Sequence, residues 1–385
     1  MRYVVALFSP IIFLISYFFK KDKRIWLYGA WYGKLYKDNS KALFEEASRL
    51  APEITHIWIY KDRNLNSIIP KKYKSLYAYS LEGFLIQLRA KVFICTLNTS
   101  DFIPFLVTPR NIIIQLWHGS PLKNIGIDSR KTKIRKFADR IRFATLDNYT
   151  YCISPAKFFD DSFKSAFLLK QENILRAPFP RNKSLFISDE RKNEIKNMLE
   201  VKKNEKLILY LPTHRNDGNN SILSDEVKKL HKYDSVLLDN QIKFIVKPHF
   251  YEWKNFESHQ DLQAIKVLFD TDINLYELLA SSDALVTDYS SVFFDYELLG
   301  KPILIFPFDL DEYMHNDRNM YFDPAYIFEN LNNTTVVESE EMLIDYCIKI
   351  KQDLYVHKER TTSIFNEDVS DSSMKIINTI NNIIN

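Results

Sequence analysis

Polar side chains that could act on a phosphate group follow several apolar runs of the sequence. The runs end in residues that carry charge or donate hydrogen bonds: His118–Lys123 after NIIIQLW, Thr213–Arg215 after KLILYLP, Lys247–His249 after KFIV, and Asp288–Ser291 after ALVT. A histidine can take up a proton near neutral pH, and cationic side chains bind phosphate oxygens. One such histidine could be purely structural. Because His118 and His249 occupy matching places in two halves of the chain, they favour a site for phosphate chemistry.

The segment ALVTDYSSVFFDYELLGKPILIF is the most explicit candidate for binding an anion. It predicts a strand, a tight turn, a helix capped by Ser290 or Ser291 and ended by Gly300, and a second strand. Hydroxyls and free N–H groups at a helix start can hold a phosphate without glycine, although an ordinary helix cap has the same sequence. The seven glycines of the chain form neither G-x-G-x-x-G nor a P-loop. No glycine-rich phosphate loop is therefore expected.

Composition narrows the class of protein. A chain of 385 residues is long enough for two or three domains, and its net charge of +3 gives no reason to expect a nucleic-acid partner. Three cysteines form no C-x-x-C pair and no zinc-site spacing, which favours a reducing compartment: Cys95, Cys152 and Cys347. No other group of residues has metal-site spacing either. Neither a metal nor another cofactor is expected.

The intervening sequence must place these polar residues at one edge of a sheet. Runs such as IWLY, KVFIC, KLILYLPT and PILIFP predict strands, and stretches such as SKALFEEASRL and NLYELLASS predict helices between them. This alternation indicates an α/β fold with parallel strands, in which ligands bind beyond the carboxyl ends of the strands. A polar stretch at 177–203 predicts a linker, which gives domains at 24–190 and 191–385. Helices at 334–353 and 372–385 are assigned to the second domain, as helices that close it or pack back over both domains.

Residues 1–23 predict a membrane-associating segment. Tyr3–Phe19 is a charge-free run of 17 residues, and basic residues follow it: Lys20, Lys21, Lys23 and Arg24. A helix of this length would reach about 25 Å, short of a bilayer core of about 30 Å, and Pro10 would kink or break it. A single span, a shallow hairpin and a buried core helix all remain open. The cationic flank predicts that the rest of the protein lies at the cytoplasmic face of the cell membrane.

A second basic element, SRKTKIRKFADRIRF at 129–143, predicts an amphipathic helix. Its apolar residues follow helical spacing: Ile134, Phe137, Ala138 and Ile141. Asp139 is the single acidic residue among many basic ones, which include Arg130, Lys133, Arg135 and Arg140. Such a helix suits an anionic membrane surface or a polyphosphate group. The alternative is a solvated helix whose apolar stripe lies in the core.

Taken together, the motifs resemble the CDP-glycerol glycerophosphotransferases of teichoic acid and capsule synthesis. The resemblance is carried by QLWHGSPLKNIG, LPTHR, KPH and VTDYSSVFFD, at 115–126, 211–215, 247–249 and 286–295. The early segment YGAWYGKLYKDNSKALFE, at 28–45, is similar to capsule-locus members of this family. The resemblance implies a GT-B fold, in which two Rossmann-like domains face each other across a cleft. The first domain would bind the acceptor and the second would bind the donor.

The resemblance also implies roles for individual residues. His118 is the expected general base, and His249 is expected to act in catalysis and to hold the donor pyrophosphate with Arg318 and the Ser290–Ser291 turn. Further residues are expected beside the donor: Thr213, Arg215, Lys247 and Asp288. Others are expected on the acceptor or membrane side: Lys123, Arg130, Lys133, Arg135 and Arg140.

The function that the resemblance implies is transfer of glycerol phosphate from CDP-glycerol to a hydroxyl group, with release of CMP. The acceptor would be a lipid-linked or polymeric glycan or polyol phosphate at an anionic membrane. The same fold could instead use CDP-ribitol or a nucleotide sugar, because phosphate-binding residues do not read the transferred group. A membrane-docked interaction protein without activity is a second alternative.

Overall fold

The structure, a computed structural model, describes residues 9–215, 222–249, 252–256, 261–269, 273–316, 319–356, 363–366 and 372–384. The chain divides into two units. The first comprises Met1–Pro121, Ile125–Arg181 and Glu367–Asn385, and the second comprises Leu122–Asn124 and Asn182–Asn366. Each unit is built on a parallel sheet, which confirms the predicted α/β class with two parallel-sheet domains. The facing cleft of a GT-B fold stays a prediction.

The first unit is a parallel sheet flanked by helices. Its strands are β1 (Asp22–Gly29), β2 (Thr55–Tyr60), β3 (Ser75–Tyr77), β4 (Ala90–Cys95), β5 (Ile112–Gln115), β6 (Tyr151–Ser154) and β7 (Ile174–Arg176). They lie in the order β3-β2-β1-β4-β5-β6-β7, and every pair is parallel. The accompanying helices are α1 (Ser9–Phe18), α2 (Asp38–Leu50), α3 (Leu65–Ile68), α4 (Leu81–Arg89), α5 (Lys133–Thr145) and α6 (Asp160–Phe167). Trp26, Leu27 and Tyr28 of β1 are fully buried, as expected for a central strand covered on both faces.

The second unit repeats this plan. Its strands are β8 (Lys206–Leu211), β9 (Ile242–Val246), β10 (Ile265–Val267), β11 (Ala284–Thr287), β12 (Ile303–Ile305) and β13 (Thr334–Val336). They lie in the order β10-β9-β8-β11-β12-β13, again all parallel. The helices are α7 (Asp189–Met198), α8 (Ile222–Leu230), α9 (Asp234–Asp239), α10 (Leu275–Ser281), α11 (Val292–Glu297), α12 (Leu310–Asn316), α13 (Pro324–Asn330) and α14 (Glu340–Lys351). Both sheets therefore have the strand order of a Rossmann fold.

The strand order determines where ligands are expected to bind. In each sheet the order reverses beside the first strand, between β1 and β4 in one unit and between β8 and β11 in the other. Open α/β sheets bind ligands outside the carboxyl ends of the strands at such switch points. Thr213 follows β8 and Asp288 follows β11, so the two residues flank the switch point of the second sheet. His118 follows β5, the neighbour of β4.

The amino-terminal apolar run is described from Ser9 onward, as the helix α1 (Ser9–Phe18). Pro10 is the second described residue of this helix, and its effect on the preceding part of the run stays a prediction. Residues 1–8 of the predicted segment lie outside the described residues. Within the part of the chain that the structure describes, no helix is both long enough and apolar enough to cross a membrane.

The limits of the units differ from the predicted domain limits. The sequence placed the boundary at 190, whereas the long segment of the second unit begins at Asn182. The last helix, α15 (Ser372–Ile384), which the sequence analysis assigned to the second domain with the alternative of packing over both, belongs to the first unit. Its buried face of Ile376, Ile377 and Ile380 packs beside α2. The Ser372 hydroxyl at its start donates to the Pro178 carbonyl at 2.6 Å. Burial of an amphipathic face explains this placement.

Candidate active site

His118 lies three residues beyond the end of β5 in the first unit. The strand is buried along its whole length, and the Gln115 side chain at its end accepts a hydrogen bond from the Trp117 backbone N–H at 2.9 Å. Trp117 has a φ of 54°, a conformation that bulky residues rarely adopt. The His118 imidazole centroid lies 4.0 Å from the Trp117 ring and 5.2 Å from the Trp31 ring. Two indoles therefore flank a half-buried histidine at the carboxyl edge of the sheet.

The candidate donor residues of the second unit lie at the ends of three adjacent strands. Thr213 and His214 follow β8, Lys247 and His249 follow β9, and Asp288 follows β11. The His214 and His249 rings stack with their centroids 5.6 Å apart. Because the strands are parallel, their carboxyl ends meet at one edge, and the predicted cluster is formed there.

Some of the predicted donor residues are exposed toward solvent and others are held by the protein. His249 is exposed, whereas Lys247 is half-buried and donates to the Phe269 carbonyl at 2.7 Å. The Thr213 hydroxyl oxygen is buried and makes no hydrogen bond with the residues that the structure describes. The role of Thr213 at the donor therefore stays a prediction.

Arg215 does not have the environment of a donor contact. Its guanidinium is 4% exposed and bonds to Asp288 at 2.8 Å and to Asp309 at 2.7 and 2.9 Å. Burial opposes its charged form, but the two carboxylates outweigh burial and raise the pKa of Arg215. Asp288 is fully buried and also accepts from the Thr213 and Tyr289 backbone N–H groups at 2.9 and 2.6 Å. Arg215 and Asp288 thus join the loops after β8, β11 and β12.

A glutamate that the sequence analysis did not select lies beside the two histidines. Glu252 is 1% exposed and one of its oxygens pairs with Nδ1 of His214. Its other oxygen accepts from Asn255 at 2.8 Å, and its backbone N–H donates to the His249 carbonyl at 2.8 Å. A carboxylate in this place fixes the orientation and the proton position of the imidazole it contacts. The signal in the sequence was an acidic residue three positions after KPH.

The Ser290–Ser291 turn is present, but the helix after it is short. The Ser290 hydroxyl accepts from the Val292 backbone N–H at 3.4 Å, and Ser291 occupies the cap position without a side-chain cap bond. The helix α11 has six residues, so its dipole is modest, and the two serines are half-buried. Arg318, the other residue expected at the pyrophosphate, lies outside the described residues.

Lys123 is placed in the second unit, apart from the other residues predicted for the acceptor side. It forms an antiparallel bridge with Met320, and the backbone of its neighbour Asn124 donates to the Asn319 carbonyl at 2.8 Å. Its ammonium lies 4.9 Å from the centroid of the Tyr313 ring. The structure therefore places Lys123 beside the segment that follows Arg318.

The basic helix α5 begins at Lys133, where the Thr132 hydroxyl accepts from the Arg135 backbone N–H at 3.3 Å. Lys133, Arg135 and Arg140 are exposed, and Arg130 pairs with Asp139. The apolar stripe is exposed as well: Ile134 at 82%, Phe137 at 65% and Ile141 at 51%. The alternative in which this stripe lies in the core is therefore wrong, because the stripe and most of the charges both face solvent.

Comparison with known proteins identifies the family. A family model described as CDP-Glycerol:Poly(glycerophosphate) glycerophosphotransferase matches residues 11–381. The chain belongs to this family. The predicted resemblance is confirmed, and the protein is a transferase enzyme of this class.

Relatives of this family cover nearly the whole chain. A teichoic acid glycerol-phosphate transferase of Staphylococcus aureus (strain NCTC 8325 / PS 47) is 28% identical, with 93% of each chain covered. A teichoic acid poly(glycerol phosphate) polymerase of Bacillus spizizenii (strain ATCC 23059 / NRRL B-14472 / W23) is also 28% identical, with 97% of this chain and 96% of the relative covered. The solved structure of the wall teichoic acid polymerase TagF superposes with a TM-score of 0.78 at 25% identity, covering 98% of this chain and 93% of that one.

Proposed function

We propose that this protein transfers glycerol phosphate from CDP-glycerol to a hydroxyl group of a lipid-linked or polymeric acceptor, in teichoic acid or capsular polysaccharide synthesis. The observation that carries the proposal is the family match, which spans both His118 and the strand ends of the second unit. The relatives' names refer to glycerol phosphate, and the site residues have the chemistry that such a transfer needs.

The reaction exchanges one phosphorus–oxygen bond for another. The acceptor hydroxyl oxygen attacks the phosphorus that carries glycerol, the bond from that phosphorus to the bridging oxygen of CMP breaks, and CMP leaves with the bonding electrons. His118 takes the hydroxyl proton as the oxygen attacks. His249, the Thr213 hydroxyl and the Ser290–Ser291 turn, with Arg318, stabilise the charge that develops on the pyrophosphate.

A transfer assay tests this proposal. Purified protein is incubated with CDP-glycerol, CDP-ribitol or a nucleotide sugar together with cell-envelope lipid extract, and nucleotide release is measured. We expect CMP release with CDP-glycerol, and a fall in kcat of roughly 10²- to 10⁴-fold in His118→Gln with the Kd for CDP-glycerol unchanged by calorimetry. Release with CDP-ribitol or a nucleotide sugar alone would contradict the donor assignment. Full turnover in His118→Gln would contradict the role of the histidine.

We further propose that the protein acts at the cytoplasmic face of the cell membrane, with α5 lying on anionic lipid. The support is the exposed apolar stripe of α5 beside its exposed cations, the arrangement of a helix that lies in a membrane interface. The helix α1 also exposes apolar side chains, among them Leu14 at 63% and Phe18 at 86%.

Charge reversal tests the membrane proposal. Each cation near an anionic surface contributes about 1 kcal/mol, so Lys133→Glu, Arg135→Glu and Arg140→Glu together should weaken binding to phosphatidylserine vesicles by at least roughly 100-fold. Binding by the native protein should also weaken as salt is added. The control changes the same net charge at exposed lysines elsewhere, Lys71, Lys72 and Lys203. Equal losses in both triple variants would mean that α5 makes no specific contact with the membrane.

A further inference from the structure

The backbone around His118 has an unusual concentration of positive φ angles. They occur at Trp31 (51°), Tyr32 (62°), Gly33 (72°), Asp38 (70°), Trp117 (54°) and Gly119 (143°). For residues other than glycine such conformations are strained, and they persist only where the surrounding contacts hold them. Backbone strain of this kind concentrates at functional sites. The contacts that hold these residues therefore bear on the placement of His118.

Two side chains at the start of α2, together with that of Arg181, supply those contacts. Asp38 accepts from the Trp31 indole N–H at 3.1 Å and from the Arg181 guanidinium at 2.7 Å. The same guanidinium nitrogen of Arg181 donates to the His118 carbonyl oxygen at 2.9 Å. Asn39, fully buried, donates to the Trp117 carbonyl oxygen at 2.9 Å. One connected network of hydrogen bonds thus holds the backbone of Trp117, the backbone of His118 and the indole of Trp31.

We propose that Asp38 and Arg181 are positioning residues for His118. The inference rests on the proposed role of His118 as the general base. Neither side chain needs to touch a substrate, because Arg181 acts through the His118 backbone and Asp38 acts through Trp31 and Arg181. Both side chains are largely buried, with 8% and 12% exposure, so water competes little for these bonds. The early segment at 28–45 is similar to capsule-locus members of the family, but the sequence analysis gave it no role. It supplies half of this network.

The expected effect of loosening the network follows from the geometry that a general base needs. The base must lie within hydrogen-bonding distance of the hydroxyl proton, and a misplacement of about 1 Å can lower the rate on the order of 10²-fold. We expect Asp38→Asn and Arg181→Met each to lower kcat by roughly 10- to 100-fold. Asparagine keeps the size of Asp38 and tolerates positive φ, so this variant removes the charge without new backbone strain. The Kd for CDP-glycerol should not change.

The tests separate positioning from general loss of structure. Arg176→Met removes a similar ion pair with Asp160 in the same unit and should leave kcat unchanged. Arg181→Lys keeps the charge, but its ammonium does not have the shape and reach of the guanidinium, so it should recover only part of kcat. In a His118→Gln background, Asp38→Asn should have no further effect, because the positioned group is gone. A further loss of the same size there, or an equal loss of kcat in Arg176→Met, would overturn the proposal.

A second measurement does not depend on activity. In protein labelled with carbon-13 histidine, the His118 ring signal is assigned by its loss in His118→Gln. The rings of Trp117 and Trp31 lie close enough for strong ring-current shifts, so Asp38→Asn and Arg181→Met should move this signal while Arg176→Met should not. A signal unmoved in both variants would overturn the proposed network. If the native protein transfers no glycerol phosphate but the signal moves as expected, the network stands and the proposed function fails.

Discussion

The environment of Arg215 gives a prediction that separates a structural role from a donor contact. The variant is Arg215→Met, which keeps much of the side-chain volume and removes the charge. In the native unit the guanidinium is 4% exposed and neutralises Asp288 and Asp309, whose side chains are 0% and 8% exposed. Removing it leaves two buried carboxylates without their cation. Breaking a buried ion pair from one side costs about 3 to 5 kcal/mol, because the remaining charge is uncompensated.

Thermal and urea unfolding measure this cost. For a unit of this size each kcal/mol lowers Tm by roughly 2 to 4 °C, so Arg215→Met should lower the Tm of the second unit by roughly 6 to 20 °C. Asp309→Asn should lower it less, because Asp288 stays on the guanidinium. The matched control is Arg191→Met, which breaks a surface pair with Glu277 at 2.8 Å, and its cost should be at most about 1 kcal/mol.

Calorimetric binding of CMP decides between the two roles. If Arg215 is structural, the folded fraction of Arg215→Met should bind CMP with an affinity close to that of the native protein. If Arg215→Met instead has the same Tm as the native protein and binds CMP much more weakly, then Arg215 does not stabilise the buried network. The sequence prediction of a donor contact would then be correct, and the structural reasoning here would be refuted.

Two further predictions concern buried carboxylates. Glu252→Gln should weaken CDP-glycerol binding roughly 10-fold or more in calorimetry, because a charge-assisted hydrogen bond from Glu252 orients His214 beside His249. The control is Glu200→Gln at an exposed position. Equal Kd values for the two variants would contradict this role of Glu252. Burial, partly offset by three backbone N–H donors, raises the pKa of Asp101 to about 6. A carboxyl with a raised pKa binds its proton more tightly when folded, so its contribution to stability increases by on the order of 1 kcal/mol as pH falls from 7 to 5. Urea titrations at both pH values should show this increase in the native protein and not in Asp101→Asn.

The sequence predicted the central strands well and missed three short edge strands, for a physical reason. β1, β4, β8 and β11 are buried on both faces, so they appear as unbroken apolar runs. β3, β7 and β13 have three residues each and lie at sheet edges. Such short segments contain too few residues for any periodicity, and neighbouring strands determine their conformation.

The positions of the site residues could be predicted from the sequence, but the side chains that they pair with could not. The rule that ligands bind beyond strand ends led directly to His118, Thr213, Lys247 and Asp288, and the structure places each of them there. The same rule applied to PILIFPFD would have found Asp309. What Arg215 does with its charge depends on Asp288 and Asp309, which are 73 and 94 residues away along the chain. Local sequence contains no information about pairs at that separation.

The backbone conformation near His118 was likewise not predictable from the local sequence. The seven glycines of the chain form no glycine-rich phosphate loop, yet nine residues other than glycine have positive φ in the described part of the chain. A glycine would adopt these angles without help, but it would leave the loop equally free to adopt others. Trp117 and Asp38 reach the same angles only while Gln115, Asn39 and Arg181 hold them. A strained loop fixed by buried side chains gives His118, the proposed general base, one position, which is the property that general-base catalysis requires.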